Sequence, residues 1–193
     1  MKILVVFDHP RRESFCGAVL DAFMSGLAEA GHVAELADLR AEGFEPRRPL
    51  GDERAGDGGN RVYPPEALAE RAAIARNEAL AFVFPVWWWS FPATTKGWID
   101  RVWNNGWAYG DRRLSQRKAL LIGTASGDQE GYRKRRYDEA MRIQLLTGTM
   151  AYCGIPESEL HLLYDVMAGD ATRREHLETA RRLGAGYFGR PES

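Results

Sequence analysis

The chain has 193 residues, 26 Lys plus Arg against 27 Asp plus Glu, a net charge of −1, and 45% hydrophobic residues. That length supports one domain with a substantial core across 1–193. The balanced charge excludes the global basic field that would draw in nucleic acid or anionic lipid.

Lys2–Phe7 (KILVVF) is a short apolar, β-branched run, the pattern of a strand buried on both faces. Ser14 offers an N-cap hydroxyl. Phe15, Ala18, Val19, Ala22, Phe23, Leu27 and Ala30 follow at helical spacing, and Gly31 can end the helix. A second strand is expected over His32–Asp38. Residues 41–65 are rich in Gly, Pro and charge and read as a long excursion. The spacing predicts a helix over Pro65–Asn77 with Leu68, Ala72 and Ala75 on its apolar face. Ala79–Phe84 (ALAFVF) follows as a third buried strand, and Ala93–Trp103 as a helix. Lys118–Thr124 (KALLIGT) is a fourth strand. One helix is expected over about 132–152 with Met141 and Leu145 inward. Glu159–Leu163 is a fifth strand, and Ala171–Phe188 a closing helix with Leu177, Ala180, Leu183 and Tyr187 inward.

Five apolar strands alternating with helices imply a doubly wound α/β fold, a parallel sheet with helices on both faces. The expected order is 2-1-3-4-5, which places a ligand beyond the carboxyl ends of the strands, between strands 1 and 3. Three loops meet there: DHPRRES (8–14), PVWWWSF (85–91) and TASGDQEGY (124–132). The first lacks GxGxxG and GxxxxGK[ST], which argues against a dinucleotide Rossmann site or a nucleotide-triphosphatase P-loop. It reads either as a plain Ser14 cap beside solvated Arg11 and Arg12, or as an anion seat at a helix start. In the second, Trp87, Trp88 and Trp89 form either an aromatic wall or packing for a core or subunit interface. All six tryptophans lie between positions 87 and 107, a clustering that points to a site. In the third, Thr124, Ala125, Ser126 and Gly127 let backbone amides approach a ring edge, with Tyr132 beyond, or simply turn the chain. A phosphate seat, an aromatic wall and a strip of small residues together fit a flavin. No metal-binding pattern is present.

Four stretches then carry a family resemblance: HPRRESFCGAV (9–19), FPVWWWSFPATTKGWIDRVW (84–103), GWAYG (106–110) and TASGDQEGY. The sequence resembles the flavodoxin-like NAD(P)H:quinone oxidoreductases, including the bacterial modulator of drug activity and the ancillary subunits of potassium-efflux systems. The similarity runs from residue 2 to about 165. The resemblance implies that His9, Ser14, Phe15 and Cys16 line a flavin's phosphate and ribityl chain, and that Pro85, Val86, Trp87, Trp88 and Trp89 hold its ring. Thr124, Ala125, Ser126 and Gly127 would edge the ring, with Tyr132 as the catalytic hydroxyl near the pyrimidine carbonyl. Trp89 and Tyr109 would face the substrate, Tyr109 reaching toward a partner subunit. Three positions depart from the family pattern: Cys16 stands in place of an Asn, Ser126-Gly127 in place of Gly-Gly, and Asp138 where animal members carry a histidine.

The expected activity is ping-pong hydride transfer from NAD(P)H through the flavin to quinones or similar flat acceptors. Two alternatives are a redox-sensing regulatory subunit of a potassium-efflux transporter and a flavodoxin-type electron carrier. The 41–65 excursion resembles that of the FAD-using branch of the family, and the resemblance implies FAD over FMN. A homodimer with shared sites is expected because Trp98, Trp103 and Trp107 offer more aromatic surface than one monomer would bury. Ala79–Ala93 is too short, and too broken by Pro85, Ser90 and Pro92, for a spanning helix of about 20 residues. MKILVVFDHP is too short an apolar stretch for a signal peptide. Cys16 and Cys153 lie far apart with no CxxC spacing. A cytoplasmic protein fits these features.

Overall fold

The computed structural model describes residues 1–48 and 63–189. One five-stranded sheet runs in the order β2-β1-β3-β4-β5, with β1 Lys2–Phe7, β2 Val33–Asp38, β3 Ala79–Pro85, β4 Lys118–Thr124 and β5 Ser158–Leu163. Every pairing in it is parallel. The central strands β1, β3 and β4 are buried almost throughout. This is why they appear in the sequence as unbroken apolar runs rather than as alternation. Among the described residues, no helix is long and apolar enough to cross a membrane.

Helices cover both faces. α1 Phe15–Glu29 and α6 Asp170–Gly186 pack on one. There Ile3, Val5, Phe7, Ala81, Val83 and Ile122 meet Val19, Phe23, Leu27 and Ala180. α2 Pro65–Ala75 and α3 Ala93–Val102 cover the other face, with α5 Tyr137–Met141 and the π-helical segment Arg142–Ala151 that continues it. There Leu4, Val6, Phe82, Phe84 and Leu121 meet Ile74, Trp98, Met141 and Leu145. α4 Gln129–Lys134 sits at the carboxyl end of β4. α1 and α6 approach so closely that a Cβ on Gly184 would lie 2.3 Å from the Phe23 carbonyl oxygen.

Three expectations need correction. The buried face of α2 is Ala67, Arg71, Ala73 and Ile74, not Leu68, Ala72 and Ala75. Arg71 is turned inward: its Nε donates to the Val102 carbonyl (3.0 Å), and its guanidinium stacks 3.6 Å from the Tyr63 ring centroid. Aromatic faces and a carbonyl can hold a buried guanidinium, so a polar residue leads the inner face. The single helix over 132–152 is broken at Arg136, which adopts φ 58, ψ 29 between α4 and α5. Trp98 and Trp103 are core residues of one chain. The Trp98 Nε1–H donates to Glu70 (2.8 Å), and both indoles meet Phe82 edge to face. The argument that they need a partner surface therefore fails. Residues 49–62 of the expected excursion lie outside the described residues.

Each face also buries one cysteine, Cys16 with α1 and α6 and Cys153 on the other side. Burial pushes the Cys16 thiol up to about 12 and the Cys153 thiol to about 11. Since the thiolate is the reactive form, neither should react with Ellman's reagent in the folded protein at pH 8, and both should titrate in urea. At the α1–α6 crossing, Gly184→Ala should cost about 1–3 kcal/mol in urea denaturation, because backbone rather than a flexible side chain must move. Gly186→Ala, where nothing lies within 4 Å of the new Cβ, should be neutral or gain up to about 1 kcal/mol.

Candidate active site

Where β1 and β3 send their chains to opposite faces, the loops after β1, β3 and β4 converge. In the first loop, Ser14 is the N-cap of α1: its Oγ accepts the Gly17 N–H at 3.1 Å. The Arg11 N–H donates to His9 Nδ1 (3.0 Å), and the His9 ring lies 6.3 Å from that of Trp87. Arg12 is committed along α1, to the carboxylate of Asp21 and the carbonyl of Gly17, which removes it from the anion seat. Arg11 stays exposed. The Phe15 ring packs back toward α6, beneath Arg173 and beside His176. Cys16 is buried with its thiol toward Thr124.

The second loop explains the run of tryptophans. β3 ends at Pro85, and the Val86 N–H donates to the Thr124 carbonyl (2.9 Å), tying this loop to the third. The Ser90 N–H then closes back on the Trp87 carbonyl (3.2 Å). Between them, Trp88 and Trp89 take φ 50 and 54. Two successive left-handed residues are the signature of a mirror-image turn normally made with Gly or Asn. Bulky residues there carry strain, which concentrates at functional sites. The turn holds Trp88 out at 86% exposure. It lays Trp89 flat on Tyr137, ring centroids 3.9 Å apart at 29°.

In the third loop, Thr124 and Ala125 are buried and Ser126 is exposed. A Cβ on Gly127 would lie 3.1 Å from the Tyr132 ring, so the strip must stay narrow there. The Asp128 carboxylate caps α4 through the Gly131 N–H (2.6 Å). The loop is braced by the chain after β5, whose Asp165 and Val166 amides donate to the Gly127 and Ala125 carbonyls. Val86, Trp88, Trp89, Ser126, Gly127 and Tyr132 line one cleft of about 400 Å³. Burial, then the neighbouring Tyr164, raises the Tyr132 hydroxyl above its ordinary 10.0.

Tyr109 does not reach this cleft within the chain; its ring lies 5.7 Å from that of Tyr152. Two cleft residues escaped the sequence reading. Tyr137 backs Trp89, and Arg135 joins the lining beside Tyr132. A further residue, Asp8, lies at the base of the first loop with its side chain wholly buried. Its signal was an acid placed directly after an apolar strand. Asp138 lies not in this cleft but in a second, polar hollow beside β5 with Arg142 and Tyr164.

A family model described as flavodoxin-like fold matches residues 1–184. An uncharacterized NAD(P)H oxidoreductase from Escherichia coli is 31% identical over 170 residues, 88% of this chain and 86% of that protein. The ribosyldihydronicotinamide dehydrogenase (quinone) of Pongo abelii is 31% identical over 177 residues, 79% of this chain and 77% of that protein. The solved structure of an NAD(P)H:quinone oxidoreductase from Methanothermobacter marburgensis aligns with a TM-score of 0.89 at 33% identity, covering 100% of this chain and 99% of that one. With sheet order, cleft position and a match over residues 1–184 in agreement, the chain belongs to the family of flavodoxin-like fold.

Proposed function

We propose that the chain is a flavin-dependent NAD(P)H:quinone oxidoreductase. The observation that carries this reading is the cleft between the loops after β3 and β4, beyond the carboxyl ends of the strands. One wall is an exposed aromatic turn, and the opposite edge is a strip of small residues ending in the largely buried Tyr132. The residues fit a flavin: a Cβ at Gly127 would intrude on Tyr132, and the turn holds Trp88 outward and Trp89 flat on Tyr137 against backbone preference. A bound flavin supplies two-electron chemistry between NAD(P)H and a flat acceptor.

The chain's own work is binding and charge. The backbone amides over 124–127 and the Tyr132 hydroxyl would donate to the polar ring edge where negative charge collects, as donors do in an oxyanion hole. Because burial raises the Tyr132 pKa above 10.0, the hydroxyl keeps its proton across neutral and mildly basic pH. The Ser14-capped start of α1 would take the phosphate. Trp89 would face the acceptor. Trp88, Ile143 at 59% exposure and Tyr152 at 55%, with Tyr109 beside it, supply apolar surface for a homodimer. In that dimer Tyr109 would serve the partner's cleft. FAD is the proposed flavin, from the 41–65 excursion.

The purified protein should be yellow, and mass spectrometry of the heat-released cofactor decides between FAD and FMN. It should oxidise NADPH rapidly with a quinone acceptor; a colourless chain that takes up neither flavin would overturn the reading. Tyr132→Phe removes one charge-assisted donor, about 1.5–3 kcal/mol. Flavin reduction by NADPH should therefore slow roughly 10- to 100-fold in anaerobic stopped flow, at about 1.4 kcal/mol per factor of ten. Affinity for the oxidised flavin should barely change. In the unsubstituted protein the reduction rate should show no loss from this hydroxyl between pH 7 and 9. Light scattering should give twice the chain mass of 21.7 kDa.

A further inference from the structure

Asp8 directly follows β1, and its side chain is 0% exposed. A buried carboxylate is tolerated only where its lone pairs are met, and two segments meet these, the start of α3 and the chain after β2. Oδ2 accepts the Thr95 N–H (2.9 Å) and the Thr95 hydroxyl (3.0 Å); Oδ1 accepts the Arg40 Nε–H (3.2 Å). The Asp8 N–H itself donates to the Val83 carbonyl of β3 (3.3 Å).

The Thr95 contact has a particular meaning. The N-cap residue of α3 is Pro92, which makes no side-chain cap bond. Asp8 supplies the missing cap from another strand, taking an amide of the first helical turn and placing negative charge at the positive end of α3. α3 follows directly on the turn in which Trp88 and Trp89 are held left-handed. That turn is tied upstream by Val86 to Thr124 and downstream by α3. Asp8 also begins the loop of His9 and Ser14. One side chain thus joins the base of the first loop, the far end of the tryptophan turn and the loop after β2.

We propose that Asp8 is a positioning residue of the candidate site. By capping α3 from the end of β1, it fixes the tryptophan turn relative to the His9–Ser14 loop, and it keeps the strained conformation of that turn. This rests on the flavin reading only for the choice of probe.

The test compares Asp8→Ala, Asp8→Asn and Leu27→Ala. Leu27 is buried between α1 and α6, away from the cleft, so its truncation controls for lost stability alone. The readouts are affinity of the folded protein for FMN, which carries the ring, ribityl chain and phosphate that FAD shares, after FAD uptake by the parent has been checked, and the indole ¹⁵N–¹H resonances of Trp88 and Trp89 without flavin. Asp8→Ala should weaken FMN binding at least 10-fold and move both indole resonances. Asp8→Asn, which still accepts from Thr95, should stay within about 3-fold of the parent. Leu27→Ala should change neither readout. If Asp8→Ala binds FMN like the parent and leaves the indoles in place, Asp8 is a fold residue only and the proposal fails. Should Asp8→Ala not fold, Thr95→Val and Arg40→Ala each remove one link and should weaken FMN 2- to 5-fold; no change in either overturns the proposal. If the parent binds no flavin, the function proposed above fails, and the indole shifts alone decide the role of Asp8.

Discussion

The parallel pairing of β1 with β2 on one edge and β3 on the other forces the chain leaving β1 and the chain leaving β3 onto opposite faces of the sheet. The first becomes α1, packed with α6; the second becomes α3, packed with α2. Two loops that must part company leave a crevice between them, and no later packing can close it without breaking the sheet order. That crevice is a consequence of topology, and the cleft opens beside it, between the loops after β3 and β4. The chemistry there is a matter of what the loops carry: a capped helix start after β1, and a projecting aromatic turn after β3 that faces the small-residue strip after β4 across the cleft.

The parting also has to be limited, because loops free to splay would not hold a flat ligand. The structure limits it with polar bonds that cross between segments rather than with apolar packing. Val86 is bonded to Thr124, the chain after β5 to Ala125 and Gly127, and Asp8 to Thr95 and Arg40. A similar device operates on the α2–α3 side. There the buried guanidinium of Arg101 reaches the Glu45 carbonyl at 2.6 Å and Glu66 at 2.8 Å, which holds the Glu66 carboxylate below its usual range. Arg101 anchors the chain after β2 against two helices. Directional bonds set distances between elements more sharply than nondirectional burial does.

How much of this was legible in the sequence follows from the same distinction. The central strands were plain, since a strand buried on both faces has no alternative to apolar side chains, and their order followed from alternation with helices. Ser14 as a cap and the three site loops were legible because cap chemistry and the switch point are local or topological. The buried face of α2 was not, because Arg71 is held by the Val102 carbonyl, at the end of α3, and by Tyr63 folded back from just before the helix. The tryptophan cluster misled for a related reason. Neighbours in sequence are divided in space: Trp98 and Trp103 enter the core from α3 and its end, while on left-handed backbone Trp88 turns out to solvent and Trp89 lies at the core's edge against Tyr137. Tyr137 entered the cleft only because Arg136 breaks the expected helix with a left-handed step, which nothing in its residue type foretells.

The π-helical segment has a consequence for how this protein tolerates changes in length. Its winding reaches five residues back, as in the bond from the Tyr152 amide to the Thr147 carbonyl. Such winding takes about 4.4 residues per turn, against about 3.6 in an α-helix. Ile143 and Tyr152 thus fall two turns apart on one side; in α-helical winding they would fall on opposite sides. Deleting a single residue between them would let the segment tighten and swing Tyr152 away from Tyr109, although every contacting side chain had been kept. Length here acts as a phase, so point substitutions in this stretch should be absorbed far more readily than indels.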